Sequence, residues 1–340
     1  MQKETLEKIS LLATGIGSVP FLETGETVAR ILRELPEMPF WPQMVKISPE
    51  EDMLTQYQNG LPLEPGKDRE GNLAAFYERY ISGETEHFAL KPSRARGWYA
   101  FIEALERTGP PGPFLKGQVV GPITLAYSLK GWDGKALLYD GEVLQALAIG
   151  LGMQAVWQAR KLASLGAIPV IFVDEPALSG YGSAFMPIGE EKVLETLGDL
   201  TGIIREKTGA LTGLHCCGNS DWPLLLRSPI DMISLDAYGY GDQFVSSHES
   251  VKKFLDQGKV IAWGIVPTGE FRVEDPLSLY MGHLERLWDQ LEEKGIARKT
   301  LAGQAVFTPA CGLGSLSQDQ AEGILKTLHE ISREARQKYL

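Results

Sequence analysis

An α/β fold with parallel strands closed as a single (β/α)8 barrel is what this 340-residue sequence predicts. Three observations predict it. Short apolar runs alternate with longer segments of helical period; eight such runs occur; and most are followed by a helical segment, which is the repeat of a βα unit. The runs fall at 10–17, 39–47, 113–120, 168–174, 210–215, 232–236, 259–266 and 304–308. A doubly wound open sheet gives a similar pattern.

Each element has its own reason. The run at 168–174 is apolar to its end, as a strand buried on both faces requires. Tyr280, Leu284, Leu287 and Leu291 repeat at the helical period, as do Leu325, Leu328 and Ile331. In that last helix Asp319 and Glu322 come early and Lys326 and Arg333 late, as the helix dipole favours. The stretch 143–157 is interrupted by Gln145 and Gln154, so it reads as a buried helix, not a membrane span. Segment 64–107 is rich in helix formers and predicts extra helices inserted after the second strand. The Pro-Gly cluster at 109–113 reads as a turn. No repeat, low-complexity tract or linker divides the chain, so residues 1–340 are expected to form one domain.

Composition narrows the function. A net charge of -11 without a basic cluster argues against nucleic acid and anionic membranes as partners. Three cysteines without framework spacing argue against a disulfide scaffold and for a reducing compartment. Residues 1–8 lack an apolar signal core, so a cytoplasmic location is expected.

Two short motifs carry the chemistry: His215-Cys216-Cys217-Gly218 and Pro309-Ala310-Cys311-Gly312. Side chains alternate along a strand, so His215 and Cys217 share one face and Cys216 packs on the other. The fifth and eighth runs end here, and in a barrel both ends lie on the catalytic rim. One imidazole and two thiolates suit tetrahedral Zn2+ with an open fourth position, provided they converge within about 4 Å. The plain alternative is buried cysteine packing. Asp236, at the end of the sixth run, is placed either to complete the coordination or to cap the next turn.

Other strand ends point to the same rim. Asp174-Glu175 closes the fourth run, as a cleft for a cation or as the cap of a helix. Thr14-Gly15-Ile16-Gly17-Ser18 ends the first, and its glycines let backbone N–H groups approach an anion such as a carboxylate. The block from Lys116 to Thr124 joins strand to helix through Gly121-Pro122. Among the histidines outside the metal motif, His248 follows the sixth run and is the one placed to shuttle protons.

Taken together, Ile16-Gly17-Ser18, Lys116 through Thr124, Asp174-Glu175-Pro176-Ala177-Leu178, His215-Cys216-Cys217 and Cys311-Gly312-Leu313 occur in an order that resembles the C-terminal catalytic barrel of cobalamin-independent methionine synthases. The resemblance implies zinc on His215, Cys217 and Cys311, with Asp236 near the family's fourth, Glu ligand. It implies that Asp174 receives the amino group of homocysteine and that the Ile16-Gly17-Ser18 turn holds its carboxylate, with Glu175 beside them. It also implies a methyl donor, either methyltetrahydrofolate or a methyl-corrinoid protein. Two departures bear on the donor. Ala126, Tyr127 and Ser128 stand where a folate-contacting tryptophan is expected, and the family's second, N-terminal barrel has no counterpart in 340 residues. The run from His215 to Asn219 is also similar to the zinc motif of corrinoid methyltransferases. An alkyl thiol is only about 3% thiolate at pH 7, so a metal that deprotonates it raises the nucleophile concentration some thirty-fold. Alternatives at this level are a coenzyme M-type thiol acceptor, a uroporphyrinogen decarboxylase-like protein and a non-catalytic zinc-stabilised barrel.

Overall fold

Six of the eight apolar runs become strands of one parallel sheet, and a seventh contributes a two-residue edge. In the computed structural model, which describes residues 1–184 and 186–340, the strands are β1 (Leu12–Ala13), β2 (Phe114–Val120), β3 (Ile168–Asp174), β4 (Leu211–Cys216), β5 (Met232–Leu235), β6 (Val260–Val266) and β7 (Ala305–Pro309). Their order is β1-β7-β6-β5-β4-β3-β2, every pair parallel. Along the chain the helices are α1 (Lys3–Ile9), α2 (Thr24–Glu34), α3 (Arg69–Ser82), α4 (Arg96–Thr108), α5 (Pro122–Ser128), α6 (Gly141–Ser164), α7 (Glu190–Lys207), α8 (Trp222–Leu225), α9 (Ala237–Ser246), α10 (His248–Asp256), α11 (Leu277–Glu293), α12 (Arg298–Gly303) and α13 (Gln318–Tyr339). The helices expected within 64–107 are α3 and α4. The stretch 143–157 lies in α6, most of whose residues are buried. None of the helices is long and apolar enough to cross a membrane.

The expectation of eight strands needs correcting. Segment 39–47 forms no ladder. Pro39 O accepts from Lys116 N (2.9 Å) and Trp41 N donates to Lys116 O (3.3 Å), a single bridge to β2. Then the segment changes sides: Gln43 N donates to Gly17 O (2.9 Å) and Gln43 O accepts from Val19 N (3.0 Å). Pro39 and Pro42 have no N–H to give, so a continuous ladder through them is impossible. The sheet is therefore a curled seven-stranded one. Its two edge regions are spanned by an irregular segment that touches each side once. Buried glutamines of α6 and β2 hold that segment: Gln158 Oε1 accepts from Trp41 Nε1 (2.9 Å), and Gln118 Nε2 donates to Trp41 O (3.0 Å).

Strand side chains divide between two cores. Ile171, Val173, Leu214, Ile233 and Ile261 face the helices. Leu12, Phe114, Val170, Phe172, Met232, Val260 and Val306 pack together on the inner face of the curl. Alternation carries the inner set forward to Thr14, Lys116, Gln118, Asp174, His215, Ser234 and Thr308, all buried. The inner face thus runs from apolar to polar in the strand direction. This gradient places a polar floor at the C-terminal rim.

Gly97 of α4 tests how tightly the irregular segment is held. An added Cβ would lie 1.8 Å from Pro42 O, whereas one at Gly25 of α2 would meet nothing within 4 Å. Gly97→Ala should lose about 3 kcal/mol or more through overpacking. Gly25→Ala should be neutral or gain up to about 1 kcal/mol. Urea denaturation midpoints of the two variants check this.

Candidate metal centre

Parallel register builds the site. Asp174 of β3 pairs with His215 of β4, which pairs with Ser234 of β5. Ser234 Oγ lies 3.0 Å from His215 Nδ1, which fixes the ring and leaves Nε2 as the other nitrogen. Nε2 is buried and has no hydrogen-bond partner among the described residues. Cys217 continues the same face beyond β4. Cys311 arrives from the loop after β7. One ring nitrogen of His215 and the two sulfurs lie within 4.8 Å of one another. That limit is slightly wider than the spacing of about 4 Å in a closed zinc sphere, a difference that small side-chain movements close.

The two thiols lie within 4.8 Å of each other, where one can share a hydrogen bond with the other. Receiving it from Cys217, beside the His215 ring, pulls Cys311 down to about 4 against the opposing effect of burial. The same bond and burial push Cys217 up. Cys216 points the other way into the helix-side core, with its Sγ 2.8 Å from Ser220 Oγ.

Above the trio is a cavity of about 370 Å³, lined among others by Ile16, Ser18, Gln43, Asp174, His215, Cys217 and Cys311. Its wall is stapled. Leu313 N donates to Ser18 O (2.9 Å) and Gly314 N to Ser18 Oγ (3.3 Å), so the loop carrying Cys311 is tied to the turn after β1. Gly17 sits beneath, with room for no Cβ: one would lie 2.5 Å from Gln43 Oε1. Asp174 has a buried, unpartnered Oδ1, and burial raises its carboxyl to about 6 against the pull of His215 and Lys116.

Three expected site residues do not line the cavity. Asp236 is outside the trio: its Oδ1 accepts from Gly239 N (2.7 Å) as the N-cap of α9, and burial raises its carboxyl. Glu175 is turned away from the cavity. Its carboxylate accepts from Ile123 N (2.9 Å), Thr124 N (2.7 Å) and Thr124 Oγ1 (2.6 Å), capping α5 from a neighbouring strand end. His248 opens α10 and does not line the cavity.

Several neighbours of the site had no assigned role in the sequence reading. Gln43 Nε2 donates to Gln56 Oε1 (2.8 Å) and to Tyr57 Oη (3.1 Å), and Tyr57 Oη donates to Gln118 O (2.9 Å). Burial lifts the Tyr57 phenol well above its ordinary value. Lys116 is fully buried, which lowers its ammonium to about 7. A lysine set among Phe114, Leu115, Val119 and Val120 was the available signal.

No family model matches the sequence, and no curated protein matches it. Among solved structures, a candidate vitamin-B12 independent methionine synthase from Listeria monocytogenes aligns over 97% of this chain and 99% of its own, with TM-score 0.50 and 14% identity. A catalytic module of the pneumococcal exo-β-D-N-acetylglucosaminidase StrH aligns over 98% of this chain and 87% of its own at TM-score 0.47 and 9% identity. The GH113 β-mannanase of Alicyclobacillus acidocaldarius aligns over 97% of both chains at TM-score 0.41 and 12% identity. At such identities the first of these likenesses speaks to the fold alone.

The cap made by Glu175 yields a prediction. Burial pushes its carboxyl up to about 7, so the folded chain holds the proton more tightly than the unfolded one. Its contribution to stability is then full below the ordinary value of 4.5 and declines as pH rises through about 7. Glu175→Gln turns a donor toward one of the N–H or O–H groups and should cost about 1–3 kcal/mol at pH 5. The gap from the wild type should narrow by pH 8, as read from thermal melts at both values.

Proposed function

We propose that this chain is a zinc-dependent S-methyltransferase of the cobalamin-independent methionine synthase kind, which methylates the thiol of homocysteine to give methionine. The observation that carries the reading is the convergence of His215, Cys217 and Cys311 within 4.8 Å on the floor of a cavity that also holds Asp174, Ile16 and Ser18. The full-length fold likeness to the Listeria protein is consistent with it. In this reading the curled sheet works as a (β/α)8-type barrel with segment 39–43 in the place of the second strand.

The donor set fits zinc. It supplies one imidazole nitrogen without a partner among the described residues and two cysteine sulfurs beside it. When bound, zinc would supply the charge that keeps a substrate thiol ionised near neutral pH.

The chain's own groups do the rest. Ser234 orients the His215 ring through Nδ1, and its hydroxyl can accept the Nδ1–H when Nε2 is the ligand. Asp174, with a free Oδ1, receives the substrate ammonium, and that pairing offsets the cost of its burial. The turn at Ile16, Gly17 and Ser18 receives the carboxylate. The cavity orients the thiol and keeps water from it. The methyl donor is a methyl-corrinoid protein or methyltetrahydrofolate, which docks at the open side of the cavity. Asp236 remains a helix cap in this account, and the fourth coordination position is left to the substrate sulfur.

Metal analysis tests the proposal. Purified protein should carry one zinc per chain, and a chelator should remove it together with homocysteine binding. Cys217→Ser and Cys311→Ser should each lower zinc affinity by at least about a hundredfold, while Cys216→Ser leaves it unchanged. Protein without zinc affinity, or with equal loss in Cys216→Ser, would refute the proposal.

A further inference from the structure

Among the described residues, Lys116 is the lysine with no exposed surface. An amine taken out of water needs partners, and Lys116 has two within hydrogen-bond distance, both neutral. Its Nζ donates to Ile16 O (2.5 Å) and Gln118 Oε1 (3.2 Å), and lies 4.6 Å from the centre of the Phe172 ring. Its backbone anchors the irregular segment at Pro39 and Trp41. One residue thus joins β2, the irregular segment and the turn after β1.

The turn is satisfied unevenly. The Ile16 carbonyl accepts from Lys116, the Gly17 carbonyl from Gln43 N (2.9 Å) and the Ser18 carbonyl from Leu313 N (2.9 Å). The N–H groups of Ile16, Gly17 and Ser18 find no acceptor among the described residues. Ile16 and Gly17 are buried, and Ile16 and Ser18 line the cavity. Buried donors left unpaired beside a cavity, with every carbonyl of the turn drawn away, make a cradle for an anion.

We propose that Lys116 is a positioning residue that gives the site its preference for thiols bearing an α-carboxylate. By holding the Ile16 carbonyl inside the curl, it keeps the donors of the Ile16–Ser18 turn aimed at the cavity. The charged and neutral amine both donate this hydrogen bond, so the role does not depend on its protonation. The inference rests on the thiol-methylating reading above and adds to it the device that selects the substrate.

The test compares two thiols by calorimetric titration of zinc-loaded protein: L-homocysteine and 3-aminopropane-1-thiol, the same chain without the carboxylate. Wild-type protein should bind homocysteine the more tightly. Lys116→Met, close in length but without a donor, should weaken homocysteine about tenfold and leave the aminothiol within about twofold. Lys116→Arg, which keeps a donor, should restore homocysteine binding to within about threefold of wild type. Should Lys116→Met fail to fold, Lys116→Gln, too short to reach the Ile16 carbonyl, takes its place. Equal weakening of both thiols would mean that Lys116 is only a structural prop, and no weakening that it has no role; either overturns the inference while the functional reading stands. Wild-type protein that binds neither thiol overturns both.

Discussion

The uniform parallel direction of the seven strands is the constraint on which the site depends. Parallel pairing sends every strand's C-terminal end to the same rim. Ile16, Asp174, His215 and Cys311 are far apart in sequence, yet each follows or closes a strand. A reversal of any one strand would carry its residue to the opposite end of the curl. The register then sets lateral spacing: Asp174, His215 and Ser234 are consecutive cross-strand partners, so a buried carboxyl, an imidazole and the hydroxyl beside its Nδ1 come as a row.

The inner face explains why that row is polar without disrupting the core. Its first layer, with Leu12, Phe114, Val170, Met232, Val260 and Val306, is apolar, and the following layers are not. Burying Lys116, Asp174 and His215 together costs stability that apolar residues of similar size would not. Asp174 Oδ1 and His215 Nε2 are left unpartnered, as are the hydroxyls of Thr14 and Thr308. Of these residues, Asp174 and His215 line the cavity, where a ligand can reach them. Glu175, by contrast, is equally buried but spends its acceptors on the three donors of α5. Two adjacent carboxyls thus divide into one that holds the fold and one that faces the cavity.

Much of this was legible in the sequence. Apolar runs located the strands, and alternation set His215 and Cys217 apart from Cys216. Strand-end position was enough to bring Cys311 to the same rim. The second run, 39–47, was misread as a strand because its hydrophobicity outweighed Pro39 and Pro42, which interrupt a ladder. Glu175 and Asp236 looked available because caps depend on where the next helix starts, and a one-residue shift decides which oxygen meets which N–H. His248 lies off the cavity for a related reason: α9 intervenes between β5 and α10, so the residue is set one helix away from the strand end. Lys116 was visible as the one lysine of its strand, but its reach to the Ile16 carbonyl follows only from the curl that brings β2 opposite the end of β1.

The central claim is that the two sulfurs and the imidazole form one metal site with a position open to a substrate thiol. X-ray absorption at the zinc edge measures this directly. The account predicts two sulfur scatterers at about 2.3 Å and nitrogen or oxygen scatterers near 2.0–2.1 Å, with a third sulfur appearing when homocysteine is added. A shell of nitrogen and oxygen alone, or a two-sulfur shell that homocysteine leaves unchanged, would contradict it.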